Sequence, residues 1–389
     1  MAWGNLKLEE QRLKAMLAFE SGHYSVVEIC KEFSISRPTF YKWHNRYLNN
    51  QIEGLKDLSK APHDPFSLYT QNQIDLAIDC KLKHKKWGPK KILIVLNNEY
   101  PDQNWPSPTR LYEIFKDFHL VTPRKIRKRV PFTAPLGHLN DCNDTWSIDL
   151  KGWFLTQNGS KCEPLTISDN YSRYLIRCQH LRKHTCKDVW KVLQESFLEY
   201  GLPNRLRSDN GPPFGSVGAG RLTTFSVNLI KAGVTPEWIR PGHPEENGRH
   251  ERMHLTLKYE TASPPQGTLM LQQQVMDEFR YTYNYKRPHE ALDMKTPGSV
   301  YKNSLRVWDG KLRSPEYNTS EGKIRKVCSN GCIWINQTPH YISETLEGEY
   351  VIVKMNENEE TEVYYGSILL GKIEKKGFEK PKIIGRRQR

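Results

Sequence analysis

The sequence predicts a multidomain chain: α-helical modules at the N-terminus, an α/β core on a mixed five-stranded sheet, and a small β-barrel at the C-terminus. Three changes of pattern carry this. Apolar residues recur at helical spacing up to about residue 121, alternate at strand spacing from about 141, and return to short alternating runs after about 320. At 389 residues the chain exceeds one ordinary domain, and roughly 100–200 residues per domain gives two to four.

The first module spans residues 1–58. Leu13, Met16 and Leu17 begin an amphipathic helix, SVVEICKEF gives a second, and RPTFYKWHNRYL a third. The join Phe33-Ser34-Ile35-Ser36 is short enough for the tight turn of a helix-turn-helix. Ser36 is placed to N-cap the third helix, and Pro38 falls in its first turn, where a missing N–H costs little. That leaves Arg37, Thr39, Tyr41, Lys42 and His44 to approach a major groove.

A Pro-rich break, Ser59 to Pro65, separates a second helical module at 66–122. QNQIDLAIDCKLKHKKW and GPKKILIVLNNEY read as two helices. PSPTRLYEIFKDFHLV reads as a third, capped by Ser107, with Thr109 and Arg110 near its start. Two such units in tandem would read a longer DNA site than one. Residues 123–140 form a basic linker in which Arg124, Lys125, Arg127, Lys128 and Arg129 crowd together. Each phosphate they neutralise would add salt-dependent affinity through counterion release.

The core is expected at 141–300. TWSIDLKGWFLT alternates Trp146, Ile148 and Leu150 against polar neighbours, Gln157-Asn158-Gly159 turns the chain, and EPLTISDN and RYLIRCQHL supply two more strands. Next come a helix closed by Gly201, a strand NRLRSDNG, a helix FSVNLIKAG, a strand VTPEWIRP and a helix NGRHERMHLTLKYE. Three antiparallel strands followed by alternating helix and strand is the ribonuclease H-like order. At 315–375, short alternating strands with turns at Asn330-Gly331, Glu347-Gly348 and Asn356-Glu357 predict the small barrel.

Charge points to the partner. Lys and Arg exceed Asp and Glu by 58 to 44, a net +14 with pI near 9.2, which favours a polyanion. The N-terminus lacks an apolar signal core, and no run of about 18 apolar residues occurs. A cytoplasmic, chromosome-associated protein without a membrane partner is expected. Eight scattered cysteines form no C-x2-C pair and read as reduced, mostly buried thiols.

Three acids carry the chemistry: Asp149 in the first strand, Asp209 at the end of another, and Glu251 on a helix. Mg²⁺ takes one or two carboxylates plus water and phosphate oxygens. Two such ions would stabilise both the attacking and the leaving oxygen of an in-line displacement. The expected cofactor is two Mg²⁺ ions, with Mn²⁺ as a substitute. His254 and Lys258 lie at i+3 and i+7 from Glu251, placing them to touch DNA near the scissile phosphate. Asn210 would position a phosphate or hold its turn. Asp169 and Asp144 read as turn residues.

These residues sit in long motifs. Asp149-Leu150-Lys151-Gly152-Trp153-Phe154, Ser172-Arg173-Tyr174, Arg207 to Phe214, Arg240 to His254 and Tyr283 to Leu292 resemble the DDE insertion-sequence transposases, which share the retroviral integrase core. The resemblance implies binding of terminal inverted repeats, Mg²⁺-dependent strand cleavage and strand transfer by the freed 3′-hydroxyl. It also implies double-stranded DNA, both element ends and target, as partner, and a dimer or higher oligomer on that DNA. The shorter gap between second and third acids in retroviral integrases would land on Glu245, but the motif places the third acid at Glu251. Two other functions fit the same residues: a non-catalytic DNA-binding regulator that keeps the fold, and a ribonuclease H-like nuclease that cuts without joining.

Overall fold

The computed structural model describes residues 7–58, 69–122, 140–374 and 377–381. The chain forms two compact units, residues 1–70 and 71–389. In the first, α1 (Leu8–Glu20), α2 (Val26–Glu32) and α3 (Arg37–Asn50) close around Met16, Ile29, Phe40, Tyr47 and Leu55. Ser25 and Glu28 form a capping box on α2, and Ser36 accepts from the Thr39 amide to start α3. The turn between α2 and α3 places Ser34 at φ 53°.

The second unit begins with α4 (Gln71–Lys83), α5 (Pro89–Glu99) and α6 (Pro108–Asp117), packed on Trp87, Ile92, Leu96, Trp105 and Phe115. Ser107 caps α6 by accepting from the Arg110 amide. The buried Lys81 ammonium donates to the carbonyls of Lys85 and Trp87, which fixes the turn before α5.

The core sheet holds β1 (Thr145–Leu150), β4 (Pro164–Asp169), β5 (Leu175–His180), β6 (Arg205–Ser208) and β7 (Thr235–Trp238), in the order β5-β4-β1-β6-β7. β1 runs antiparallel to β4 and parallel to β6. This is the ribonuclease H-like mixed sheet expected from the element order. The expected long first strand breaks after Leu150. Its end pairs separately as β2 (Phe154–Leu155) with β3 (Lys161–Cys162).

Period-2 alternation gives the sheet two different faces. Trp146, Ile148, Leu165, Ile167 and Ile176 pack against α7 (Cys186–Tyr200) and α8 (Thr224–Lys231). On the other side Leu175 and Cys178 meet α9 (Gly248–Thr261) and α10 (Leu269–Tyr281) through Met253, Leu257, Met276 and Phe279. Every residue of β4 is buried, as a strand covered on both faces requires. The edge strand β5 is held by Asn284, whose amide accepts from the Leu175 N–H and donates to its carbonyl. α4–α6 reach the same side: Arg287 lies over the Trp87 ring and Lys86 over Tyr259.

Beyond the core the chain returns along α7. Trp308 inserts against Trp190 and Phe197, and Arg306 donates to the carbonyls of Pro203 and Gly233. Gly201 closes α7 at φ 78°, and a Cβ there would meet Ser304 O at 2.7 Å, so only glycine fits.

The last strands are β8 (Lys323–Lys326), β9 (Cys332–Ile335), β10 (Thr338–Tyr341), β11 (Tyr350–Met355), β12 (Thr361–Tyr365), β13 (Ile368–Glu374) and β14 (Gly377–Glu379). A barrel is expected from the sequence. The structure has an antiparallel sheet ordered β14-β13-β12-β11-β8 and a separate β9–β10 hairpin, and among the described residues no ladder joins β8 to β14. The Cys328 amide donates to the Cys332 carbonyl, so these two cysteines close a turn. This sheet shares an apolar core with the segment after Asp209: Ala219, Leu222 and Val227 pack with Val351, Val363 and Leu370.

Candidate active site

On the α9 side of the sheet the alternation places polar residues inward. Thr145, Ser147 and Asp149 share that face of β1, and Thr166, directly opposite Asp149 across the antiparallel pair, shares that face of β4. α9 covers them with an unusual buried stripe of His250, Met253, His254, Leu257 and Thr261. The 3-10 turn Pro244–Asn247 leads into this helix and brings Asn247 onto the carboxylate, its amide donating to Asp149 Oδ2 at 3.0 Å.

Asp149 is the most perturbed acid of the group. Burial raises its pKa from 3.8 to about 7, with further upward contributions from Asp209 and Glu251, while the Leu150 amide and Asn247 oppose the rise. Asp209 follows β6 and accepts from the Gly211 amide at 3.2 Å; burial pushes its pKa up as well. Glu251 is exposed on α9. Lys258 is exposed about two turns further along, and its charge, after burial, lowers the pKa of Lys151. The two lysine charges therefore lie near each other.

The donor atoms that approach each other within 4.8 Å belong to Asp149, His250 and His254; Asp209 and Glu251 fall outside that tight cluster. Both imidazoles are kept neutral by burial, His250 at about 3 and His254 at about 2, the latter also opposed by His250 and Lys151. Their Nε2 atoms converge on one hydroxyl, Thr166 Oγ1, each at 2.6 Å. The same hydroxyl lies 3.2 Å from the Asp149 carbonyl, to which it can donate. His250 Nδ1 is hydrogen-bonded to Ser168 Oγ at 3.0 Å. His254 Nδ1 faces Asp149 Oδ2 at 4.0 Å.

His254 is thus placed differently from expectation. The sequence puts it beside Lys258 on the DNA face; in the structure its side chain is 12% exposed and turned into the sheet, because α9 presents its histidine stripe inward. Asn210 has both ends of its amide engaged, donating to the Ile239 carbonyl and accepting from Arg221, so it holds its loop. Asp169 accepts from Asn143, Ser172 N and Ser172 Oγ, the turn role expected of it.

In the first unit Arg37, Tyr41 and Lys42 are exposed on α3, Thr39 bonds Ser36, and His44 stacks on Phe40 and meets Phe19 edge-on. On α6 Thr109 and Arg110 are exposed, Arg110 pairing with Glu113. Arg124, Lys125, Arg127, Lys128 and Arg129 lie outside the described residues.

Sequence reasoning missed Asn247, Thr166, Lys151 and the inward role of His250. One signal was available. His250-Glu251-Arg252-Met253-His254 is an H-E-x-x-H pattern, which sets two imidazoles on one helix face at i and i+4.

Comparison with known proteins bears on the same regions. Residues 140–244 and 232–297 match models of the integrase core domain, and residues 12–75 match a winged helix-turn-helix. A 39.2 kDa protein of insertion element IS476 from Xanthomonas euvesicatoria is 26% identical over 227 residues, 57% of this chain and 62% of that protein. The transposase of transposon Tn552 from Staphylococcus aureus is 22% identical, with 91% of this chain and 80% of the relative covered. Among solved structures, the integrase catalytic core of HTLV-2 in complex with magnesium is 16% identical. It covers 42% of this chain and 99% of its own, with a TM-score of 0.34. The sequence matches show the resemblance to insertion-element transposases with an integrase core behind a helix-turn-helix. Among the described residues no helix is long and apolar enough to cross a membrane.

Proposed function

We propose that the chain is a transposase that binds the inverted-repeat ends of a mobile DNA element, cleaves a strand at each end and joins the freed 3′-hydroxyl to target DNA. The observation that carries this is Asp149. A buried carboxylate with two further acids raising its pKa is costly while ionised and gains most from a divalent cation. Asp149, Asp209 and Glu251 are the catalytic acids in this reading, and they would hold Mg²⁺, two ions with Mn²⁺ as substitute. A carboxylate and carboxamide lining suits a hard cation that keeps several waters.

When bound, the cations supply Lewis-acid stabilisation of the attacking and leaving oxygens. The protein's own residues do the rest. Asn247 holds the Asp149 carboxylate and Thr166 its backbone carbonyl, Gly211 holds Asp209, and Lys151 and Lys258 offer charge to the DNA backbone. Arg37, Thr39, Tyr41 and Lys42 on α3, with Thr109 and Arg110 on α6 and the basic linker, bind DNA at the element end, and His44 steadies α3 from its packing on Phe40 and Phe19. One active site per chain means that joining two ends needs at least two copies on DNA. Work on chromosomal DNA fits a cytoplasmic protein.

The test is incubation of the full chain with labelled inverted-repeat DNA and Mg²⁺. Wild type should nick and then join strands, and Asp209→Asn should bind the ends but neither cut nor join. Equal activity in the variant sinks the site assignment. Free cut ends without joined product would identify the cutting nuclease, and binding alone the regulator.

A further inference from the structure

Behind Asp149 the imidazole nitrogens are almost all occupied. Thr166 Oγ1 takes the Nε2 atoms of both His250 and His254 and reaches the Asp149 carbonyl, and Ser168 Oγ takes the remaining nitrogen of His250. His254 Nδ1 is the one imidazole nitrogen of the pair without a hydrogen bond among the described residues, and it faces Asp149 Oδ2 across 4.0 Å, the two belonging to a cluster of donor atoms within 4.8 Å of one another.

We infer that His254 Nδ1 is a nitrogen ligand of the metal site, coordinating the same cation that Asp149 holds through Oδ2. The inference rests on the reading of Asp149 as a metal-binding carboxylate. The gap is close to the sum of imidazole and carboxylate ligand bonds of about 2.0–2.2 Å each, so both atoms would reach one cation after a small rotation of either side chain. Asn247 uses only one lone pair of Oδ2, leaving the other for the cation.

The obvious alternative is a zinc site of the H-E-x-x-H kind, with both Nε2 atoms on the metal. Their common focus exists, but Thr166 Oγ1 sits at it. A zinc ion there would have to expel the hydroxyl and leave the Asp149 carbonyl without its donor. His250, with both nitrogens engaged, is a positioning residue that holds Thr166 and through it the ring of His254. An imidazole in the set shifts preference from Mg²⁺ toward Mn²⁺ and the later first-row ions.

The test uses Mn²⁺ and the full chain without DNA. Electron spin echo modulation should show one directly bound imidazole nitrogen, and protein labelled with ¹⁵N-histidine should replace the ¹⁴N pattern, with no substitution needed. His254→Gln should lose the nitrogen coupling and weaken Mn²⁺ binding roughly tenfold or more. Mn²⁺ that binds without histidine coupling in labelled wild type, yet fails to bind Asp149→Asn, overturns this inference and leaves the carboxylate site standing. Mn²⁺ bound by Asp149→Asn as tightly as by wild type overturns the carboxylate reading and this inference together.

Discussion

The amide of Asn247 and the carboxylate of Asp149 meet at 3.0 Å, and this bond is one of two opposing the rise of the Asp149 pKa to about 7. Asn247→Ala removes a donor to the ionised form. Protons should then compete better with Mg²⁺, and cation affinity at neutral pH should fall roughly tenfold. Calorimetric Mg²⁺ titrations at pH 6.5 and pH 8.5 check this, with the deficit expected to be larger at the lower pH.

Asp149 also makes the metal-free protein sensitive to pH. Its folded pKa of about 7 lies above the unfolded 3.8, so the folded state binds this proton more tightly. The resulting stability is complete below about pH 4, declines as pH rises toward 7, and is gone above it. Asp149→Asn should therefore melt higher than wild type at pH 8 in EDTA, by about 2 kcal/mol after discounting for partial exposure, and near wild type at pH 4.5. A melting series across that range is decisive.

Arg207 is 2% exposed and pairs with Glu237 across the parallel β6–β7 ladder. Glu237→Gln removes a counter-charge of a buried guanidinium. A loss of about 3 kcal/mol is expected in urea unfolding. Because Asp209 follows β6 directly, cleavage should fail at a lower temperature than in wild type.

Trp308 fills the core from a segment with no regular structure of its own, edge-on to Phe197 at 5.7 Å. Trp308→Ala should cost about 3–5 kcal/mol through the cavity it leaves. Limited proteolysis should then cut between residues 302 and 314, where wild type resists.

On α3, Lys42→Ala should weaken DNA binding evenly across sequences and lower the salt slope by about 1, the signature of one lost phosphate contact. His44→Ala should act otherwise: its ring is packed on Phe40 and Phe19, so the first unit should lose stability. Fluorescence anisotropy against salt, paired with thermal melts, separates the two.

Much of the core was legible because strand alternation and helix caps are local signals. β1 shows Trp146 and Ile148 on one face in its letters, and Gly201 ends α7 as its position suggests. What escaped was the rotation of α9. Counting from Glu251 placed His254 outward, but the buried stripe is set by His250, Met253, Leu257 and Thr261, and polar residues in it hide the amphipathic pattern. A hydroxyl waiting on another strand, Thr166, is what lets histidines face inward, and no local window contains it. At the C-terminus, Asn336 and Gln337 both take positive φ to turn β9 into β10, a turn without the expected glycine.

The segment between the second and third acids is longer than the sheet needs, and its surplus serves as a seat. Ala219 and Leu222 lie under β13, and a Cβ on Gly220 would strike Leu370 at 2.8 Å. Arg221 reaches back from that seat to Asn210, the neighbour of Asp209. Cutting the chain to the span matched by the integrase models would strip the cover from this seat and loosen the loop that aims the second acid. The C-terminal sheet is, in mechanical terms, the abutment against which the loop after Asp209 is braced.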